Sequence, residues 1–236
     1  MSRKAANVFF AQLIAKPDSV LGLATGSSVL GVYENLIGYY KNGDLDFSRI
    51  KTVNLDEYVG LDRDNEQSYR YYMDNNFFKH INIKKESTTL PDGLAKDLHH
   101  ECVKYNIHIE GFRGLDIQLL GLGHNGHIGF NEPGAEFIKE THVVELDEST
   151  VKANSRFFAD EKDVPKQAIT MGIQNIMQAK KIVLCVSGIP KAKILKAVLF
   201  GEVTPQIPGS ILQLHPDLTV VADEDALSEA PSAMRH

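Results

Sequence analysis

Short apolar runs alternate with longer segments of helical periodicity along almost the whole chain. Strands are predicted over residues 20–24, 50–55, 116–120, 143–146, 181–186 and 218–222. Helices are predicted over residues 5–15, 25–40, 68–78, 95–109, 169–179 and 190–200. Such alternation indicates βαβ units. We therefore predict an α/β fold in three layers, with a mainly parallel twisted sheet and helices on both faces. We expect one domain over residues 1–236, with an irregular polar stretch over 147–165 and a frayed tail over 228–236.

Composition excludes several classes of partner. The 236 residues are 43% hydrophobic and 24% charged, which is ordinary for a globular protein. The chain has 25 Lys and Arg against 31 Asp and Glu, a net charge of −6, so we expect no nucleic-acid partner. The longest apolar run after the first helix, residues 182–186, is too short to span a membrane. Cys102 and Cys185 lack metal-binding spacing and lie in apolar patterns, which suits a cytoplasmic protein.

The strongest chemical signal lies in residues 120–134, which read Leu-Gly-Leu-Gly-His-Asn-Gly-His-Ile-Gly-Phe-Asn-Glu-Pro-Gly. The stretch follows an apolar strand, and loops at the carboxyl ends of parallel strands are where α/β proteins bind ligands. Glycine lets the backbone approach a ligand closely. His127 is suited to proton transfer near neutral pH, and Glu132 to orienting it. His124 and His127 have no third clear ligand beside them, so we expect no metal site.

Two other strand ends carry polar clusters, and the ends of parallel strands share one edge of the sheet. Thr25-Gly26-Ser27-Ser28 opens a helix, where backbone N–H groups and hydroxyls favour an anion. The alternative is that Ser27 or Ser28 simply caps the helix. Asp56 and Glu57 end another strand and would supply a general base. The alternative for this pair is a solvated loop or a cap.

Two basic residues are candidates for binding an anion. Arg156 is flanked by Phe157 and Phe158, which we expect to anchor the segment and turn the guanidinium inward. Lys191 begins the helix that follows Ser187-Gly188-Ile189-Pro190. Arginine binds phosphate through two parallel hydrogen bonds, whereas lysine acts as a point charge. The residues alone therefore predict an enzyme for an anionic small molecule, with an aspartate base and a histidine–glutamate pair.

Four motifs together resemble the glucosamine-6-phosphate deaminase family, in its short bacterial form. They are Leu-Gly-Leu-Ala-Thr-Gly over 21–26, Asn-Leu-Asp-Glu-Tyr-Val-Gly-Leu over 54–61, Gly-His-Asn-Gly-His-Ile-Gly-Phe-Asn-Glu-Pro over 123–133 and Ala-Asn-Ser-Arg-Phe-Phe over 153–158. The resemblance implies conversion of glucosamine 6-phosphate and water to fructose 6-phosphate and ammonia, without a metal or organic cofactor.

The resemblance also implies roles for individual residues. Asp56 would be the base of the enolisation step, and His127 would open the sugar ring with support from Glu132 and Asn125. The phosphate would be held by Thr25, Gly26, Ser27, Ser28, Arg156 and Lys191. Many members have Asp where this chain has Asn125. Because Asn accepts no proton at neutral pH, we expect Asn125 only to donate and accept hydrogen bonds.

Two further departures concern assembly and the first strand. Allosteric hexamers of the family bind an N-acetylated sugar phosphate through basic and hydroxyl residues, where this chain has Ala135, His142 and Val144. We therefore expect no allosteric site for N-acetylglucosamine 6-phosphate, and a monomer. The family usually opens with a strand before its first helix, and we expect that edge strand to be missing here.

The rival interpretations are a 6-phosphogluconolactonase and the sugar-phosphate-sensing domain of a transcriptional regulator. A lactonase needs no base at C2, so it would have no use for Asp56. A sensor would have no use for the proton-transfer residues, and we expect no helix-turn-helix before this domain. The polar stretch over 147–165 contains Arg156 and is predicted to be a lid that closes over the substrate.

Overall fold

A six-stranded sheet organises the protein in the computed structural model, which describes residues 1–158 and 160–231. The strands in chain order are β1 Val20–Leu23, β2 Lys51–Asn54, β3 Asp56–Tyr58, β4 Thr88–Thr89, β5 Ile117–Gly121, β6 His142–Glu145, β7 Gln167–Thr170, β8 Ile182–Val186 and β9 Leu218–Ala222. The large sheet has the order β4-β2-β1-β5-β8-β9, and every neighbouring pair in it is parallel. The predicted α/β fold with a mainly parallel sheet is confirmed.

Helices flank this sheet. They are α1 Ser2–Ala15, α2 Ser27–Lys41, α3 Tyr69–Asn76, α4 Leu98–Gly111, α5 Glu148–Asn154, α6 Ile173–Met177 and α7 Ala192–Phe200. Helices α1 and α2 pack against each other and against β8. Every residue of β1 and β8 is buried. Burial on both faces of the sheet explains why the central strands are unbroken apolar runs. The first element of the described residues is α1.

A second, smaller sheet was not predicted. Strands β3, β7 and β6 form it in that order, and both pairings are antiparallel. The prediction of a helix over 169–179 is wrong at its start, because residues 169 and 170 belong to β7 and the helix α6 spans Ile173–Met177. The run is short and apolar, and in such a run periodicity does not distinguish a strand from a helix.

The stretch over 147–165 is more regular than predicted. Helix α5 begins after Asp147, whose carboxylate accepts a 2.8 Å hydrogen bond from the Ser149 N–H. The expected fraying of the tail over 228–236 is wrong at Ala230, which is buried. Residues 232–236 lie outside the described residues. No helix in the described part of the chain is both long and apolar enough to cross a membrane.

Leu55 joins the two sheets. Its N–H donates to the Leu23 carbonyl at the end of β1 (3.0 Å), and its carbonyl accepts from the Met171 N–H just after β7 (2.6 Å). The chain therefore leaves the large sheet after β2 and enters the small sheet at β3 within one residue. This crossing places Asp56, the first residue of β3, at the carboxyl edge of the parallel strands.

Candidate active site

One cavity of about 500 Å³ lies at the carboxyl edge of the large sheet. Of the predicted site residues, those that line it are Thr25, Gly26, Ser27, Ser28, Asp56, Asn125, His127, Arg156 and Lys191. Glu132 lies behind His127, within hydrogen-bond distance of its ring. The fold thus brings together three strand ends and the segment around Arg156, which are far apart in the sequence.

Asp56 and Glu57 face in opposite directions from β3, because successive residues of a strand alternate between its two sides. Asp56 lines the cavity. The Glu57 carboxylate instead accepts backbone hydrogen bonds from Tyr58 (2.9 Å), Tyr69 (2.8 Å) and Arg70 (2.8 Å). Two of these donors lie in the first turn of α3. The adjacent carboxylates therefore do different things: one faces the ligand space and the other secures a helix start.

The Asp56 carboxyl is unusually hard to ionise. The residue is 5% exposed, and burial raises its pKa from 3.8 to about 8, with the negative charge of Glu57 adding to the rise. No side chain or backbone N–H of the described residues forms a hydrogen bond with its carboxylate oxygens. A carboxyl whose pKa lies near neutral pH is suited to taking up and returning a proton.

His127, Glu132 and Asn125 form a hydrogen-bonded group beside this carboxyl. Glu132 Oε2 lies 3.2 Å from His127 Nδ1 and accepts a 2.7 Å hydrogen bond from Asn125 Nδ2. The Asn125 side-chain oxygen accepts from the His127 N–H (3.2 Å). Burial opposes ionisation of Glu132, but the hydrogen bond and positive charge of His127 outweigh it, so the pKa of Glu132 is lowered. Glu132 is thus an anion that fixes the orientation of the imidazole.

Glycine is required where the His127 ring packs on the loop. A Cβ atom at Gly123 would lie 2.3 Å from the imidazole. The Gly123 N–H also donates to the His127 carbonyl (2.9 Å). Gly129 has φ +58°, and a Cβ there would lie 3.0 Å from Thr170 Oγ1 and 3.5 Å from Asp56 Oδ2. These two glycines let the loop approach both the imidazole and the Asp56 carboxyl.

The turn over 25–28 leads into α2 without a side chain that caps the N–H groups at the start of the helix. The N-cap of α2 is Gly26, and no side chain caps the helix, so neither Ser27 nor Ser28 has the capping role that was the alternative. The first N–H groups of α2 and the hydroxyls of this turn border the cavity. Tyr72, on α3, donates a 2.9 Å hydrogen bond to the Gly26 carbonyl and steadies the turn. Such a helix start favours a bound anion.

Two cations border the cavity. Lys191 Nζ donates to the Leu122 carbonyl (2.6 Å). Burial, and to a smaller extent the positive charge of Arg156, lower the pKa of Lys191 to about 8. Burial and the charges of Lys191 and Arg156 also lower the pKa of His124. Phe158 packs against Tyr58 with ring centroids 6.0 Å apart, whereas the side chain of Phe157 lies outside what the structure describes. An anion between these cations would relieve their mutual repulsion.

Comparison with known proteins assigns the family. A family model described as glucosamine-6-phosphate isomerases/6-phosphogluconolactonase matches residues 2–221. The chain belongs to this family. The glucosamine-6-phosphate deaminase of Lachnoclostridium phytofermentans is 60% identical to it over 221 residues, 94% of each chain. That of Thermoanaerobacter pseudethanolicus is 53% identical over 231 residues, 98% of this chain and 91% of the relative. The solved structure of a monomeric glucosamine-6-phosphate deaminase is 46% identical with a TM-score of 0.95, covering 97% of this chain and 95% of that one.

In this member of the glucosamine-6-phosphate isomerase/6-phosphogluconolactonase family, sequence reasoning missed several residues that line the cavity. They are Tyr58, Tyr69, Tyr72, Ser149, Thr150 and Asn154. Thr150 Oγ1 lies 3.5 Å from His127 Nδ1, and Asn154 Nδ2 donates to the Tyr58 hydroxyl (2.9 Å). The periodicity over 68–78 predicted a helix that contains Tyr69 and Tyr72, but periodicity does not show that a tyrosine hydroxyl reaches a ligand site.

The histidines of this family member do not extend into a metal-binding cluster in the described part of the chain. No group of three or more His, Cys, Asp and Glu residues there is arranged to hold a metal ion. His127 Nδ1 instead faces the Glu132 carboxylate. The cavity therefore offers an aspartate, a histidine–glutamate pair, an uncapped helix start and two cations as its chemical groups.

Proposed function

We propose that this protein is a glucosamine-6-phosphate deaminase, which converts glucosamine 6-phosphate and water to fructose 6-phosphate and ammonia. The observation that carries the proposal is the cavity itself. It holds a protonatable Asp56 and the His127–Glu132 pair together with an anion-binding helix start. The deaminase names of the relatives that share 60% and 53% of its residues support the same reaction.

The phosphate binds, in this proposal, at the start of α2. The N–H groups and hydroxyls of 25–28 would donate to its oxygens, and Arg156 and Lys191 would pair with its charge. A bound dianion would favour the charged form of Lys191 and raise its pKa from about 8. Binding of the phosphate at this end of the cavity orients C1 and C2 of the sugar at the other end. The activation barrier is then lower, because the substrate has already lost the translational and rotational freedom that the transition state does not allow.

His127 opens the sugar ring in the first chemical step. It transfers a proton to the ring oxygen as the bond between C1 and that oxygen breaks, and it takes up the proton of the C1 hydroxyl, which gives the open-chain aldehyde. Glu132 stabilises the protonated imidazole, and Asn125 holds Glu132 through its 2.7 Å hydrogen bond. The hydrogen-bonding role expected for Asn125 fits these contacts, because its amide donates to Glu132 and its oxygen accepts from the His127 backbone.

Asp56 then moves a proton from C2 to C1. Its ionised carboxylate removes the C2 proton while His127 returns a proton to the C1 oxygen, which gives an enol. The same Asp56 carboxyl then delivers its proton to C1, and the C2 ammonium loses one proton to solvent as the C2–N double bond forms. Water hydrolyses the resulting iminium to the ketone and ammonia. The substrate ammonium beside Asp56 would favour the carboxylate form and offset part of the pKa increase caused by burial.

We also propose that residues 147–165 act as a lid. Four residues of α5, together with Arg156 and Phe158, line the cavity. Closure over the phosphosugar would exclude water during enolisation. Glucosamine 6-phosphate should slow hydrogen exchange in this segment. Unchanged exchange at saturating ligand would contradict the lid.

Assembly and location complete the proposal. We propose a monomer without an allosteric site, on the basis of Ala135, His142 and Val144 and of the solved relative described as monomeric. The His142 ring lies 2.9 Å from its own segment's Glu140 carbonyl. A cytoplasmic location is supported by the buried free thiols of Cys102 and Cys185. Light scattering with and without N-acetylglucosamine 6-phosphate, alongside initial rates, tests the first two points.

The test of the reaction is ammonia release from glucosamine 6-phosphate, measured together with fructose 6-phosphate. We expect the two products in equal amounts from the parent protein and almost none from Asp56→Asn. Hydrolysis of 6-phosphogluconolactone is assayed in parallel. Lactone hydrolysis without ammonia release would establish the lactonase interpretation, and phosphosugar binding without turnover would establish a sensor.

A further inference from the structure

Asp56 is aimed into the cavity without being held by any hydrogen bond that the described residues make to its carboxylate. The residue beside it is held firmly: both Glu57 oxygens accept backbone hydrogen bonds, with Oε1 bonded to Tyr58 and Tyr69 and Oε2 to Arg70. Glu57 is 4% exposed. A buried carboxylate with three N–H donors has essentially one orientation.

These bonds tie β3 to the first turn of α3. The N-terminal end of a helix carries partial positive charge, which favours a carboxylate there. Arg70, itself buried, adds a full positive charge near Glu57. On its other strand edge, β3 pairs with β7, with Asp56 opposite Thr170 and Glu57 opposite Ile169. β3 is therefore fixed on both sides, at the position of the proposed base.

We propose that Glu57 is a positioning residue for Asp56: its buried carboxylate locks β3 to the start of α3 and so points Asp56 at the substrate with both Asp56 oxygens available. This inference rests on the proposed function. A base that removes a proton from carbon needs a fixed direction, but hydrogen bonds to its own oxygens would stabilise the carboxylate and weaken it as a base. Because Glu57 fixes the strand, Asp56 has a fixed direction while its own oxygens stay free of hydrogen bonds from the described residues.

The charge of Glu57 also acts on Asp56. The titratable groups that interact electrostatically with Asp56 come from four elements: Tyr33 of α2, Glu57 and Tyr58 of β3, Tyr69 of α3 and Tyr105 of α4. His127, which is paired with Glu132, borders the same cavity, and both residues are the same in every variant compared below. The pKa values of all four tyrosines are raised above 10, so these groups stay neutral at the pH of an enzyme assay. Burial raises the pKa of Glu57 as well, but its three N–H donors and the charge of Arg70 oppose that rise. Among the groups that interact with Asp56 in the described residues, Glu57 is the one whose negative charge contributes to the raised pKa of Asp56.

A merely structural role for Glu57 makes a different prediction. If Glu57 only caps α3, its loss should lower the melting temperature and leave the pH dependence of turnover unchanged. If it positions the base, its loss should change both kcat and the acidic limb of kcat/KM. The ionisations of the substrate are the same for every variant, so a change in the acidic limb of kcat/KM reflects the ionisation of a group on the protein.

The experiment compares Glu57→Gln and Glu57→Asp with the parent and with Glu101→Gln. Glu101, on α4, is a matched control, because it is also a buried glutamate whose carboxylate accepts a backbone N–H, from Asp92 (3.1 Å), and it does not line the cavity. For Glu57→Gln we expect a fall in kcat of at least about tenfold and an acidic limb displaced to lower pH by about one unit. For Glu57→Asp, which keeps the charge on a shorter side chain, we expect kcat about 100-fold lower with the limb in place.

Glu101→Gln should lower the melting temperature and leave both kinetic readouts at the parental values. Inhibition by inorganic phosphate should be unchanged in all three variants, because the phosphate end is untouched. If Glu57→Gln does not fold, parental kcat in Glu57→Asp still overturns the proposal. Parental pH dependence in a folded Glu57→Gln also overturns it.

These experiments distinguish failure of the positioning role from failure of the proposed reaction. A parent protein that releases no ammonia contradicts the deaminase itself, whereas an active parent with kinetically unaltered Glu57 variants contradicts only the positioning role. Titration of the Asp56 carboxyl by ¹³C NMR in the parent and in Glu57→Gln makes the comparison without turnover. Equal midpoints in the two proteins would rule out the influence of Glu57 on Asp56.

Discussion

Two buried aspartates mark the two edges of the large sheet and have opposite surroundings. Asp116 precedes β5 at the amino edge and accepts hydrogen bonds from Lys16 Nζ (2.6 Å), Lys180 Nζ (2.8 Å) and the Val20 N–H (2.8 Å). These partners outweigh the effect of burial and lower the pKa of Asp116. Asp56 lies at the carboxyl edge beside another carboxylate, and its pKa is raised to about 8.

The difference shows that the same fold holds one buried aspartate as a neutralised anion and another as a carboxyl that can be protonated near neutral pH. At the amino edge, a carboxylate is neutralised and joins α1, β1 and β5. At the carboxyl edge, the Asp56 carboxyl is buried, and no cation of the described residues neutralises it. Its ionisation therefore costs stability, and the carboxyl remains able to exchange a proton near neutral pH. Cations are present at both edges, but Lys16 and Lys180 are engaged with Asp116, whereas Lys191 borders the cavity.

Replacing each aspartate with asparagine should have its largest effect on activity, and that effect should differ between the two edges. We expect Asp56→Asn to lower kcat by about 1,000-fold, because general-base catalysis typically contributes two to four powers of ten. Asp116→Asn should retain kcat within about threefold, since Asp116 lies outside the cavity. Initial rates of ammonia release decide between these outcomes. Equal losses in the two variants would show that the edges are not functionally distinct.

The same pair of variants should change the free energy of unfolding in opposite directions. Asp116→Asn should destabilise by about 2 kcal/mol, a value reduced because Lys16 and Lys180 are partly exposed. The pKa of Asp116 is lowered on folding, so its contribution is present at pH 7 and is lost only as pH falls through its folded-state pKa.

Asp56 behaves in the reverse sense, because its folded-state pKa is raised. Between 3.8 and about 8, the folded protein keeps a proton that the unfolded chain loses, so stability falls as pH rises across that range. Asp56→Asn should therefore gain at least about 1 kcal/mol over the parent between pH 5 and pH 8.5. Urea unfolding at both pH values measures this, and a gain that does not depend on pH would argue against a raised pKa.

Removing a lysine from each edge should sharpen the comparison. Lys191→Met is expected to raise KM for glucosamine 6-phosphate about tenfold with a much smaller change in kcat, because under the proposed function its charge would pair with the bound phosphate throughout the reaction. Lys180→Met should lower stability and leave KM unchanged. Lys193→Met, an exposed position on α7, serves as the control for loss of a surface charge. A KM effect in Lys180→Met would contradict the division between the edges.

The smallest expected effect concerns a single hydroxyl. Tyr72→Phe removes the hydrogen bond to the Gly26 carbonyl and should raise KM about fivefold by loosening the turn over 25–28, which is proposed to bind the phosphate. Tyr71→Phe is the matched control, since Tyr71 is the adjacent residue on α3 and does not line the cavity. Inhibition by inorganic phosphate should weaken by the same factor as substrate binding. A change in kcat alone would place Tyr72 in the chemistry instead.

The parallel sheet was predictable because its central strands are buried on both faces and their runs are continuous. The second sheet was not, because β3 has only three residues and β7 lies in an apolar run that also suits a helix. The positions of Asp56 and His127 followed from their place after strands. The contrast between Asp56 and Glu57 did not, because it depends on hydrogen bonds from residues Tyr69 and Arg70, twelve and thirteen positions away.

The crossing at Leu55 has a consequence for local unfolding. The Leu55 N–H forms a hydrogen bond with the large sheet, and the Leu55 carbonyl accepts one from Met171, next to the small sheet. A single residue therefore bridges the two sheets. Hydrogen–deuterium exchange reads the two bonds separately, with the Leu55 amide reporting opening of the parallel strands and the Met171 amide reporting detachment of the small sheet. Faster exchange at Met171 than at Leu55 would show the three-stranded sheet to be a separate unfolding unit that carries Asp56 with it.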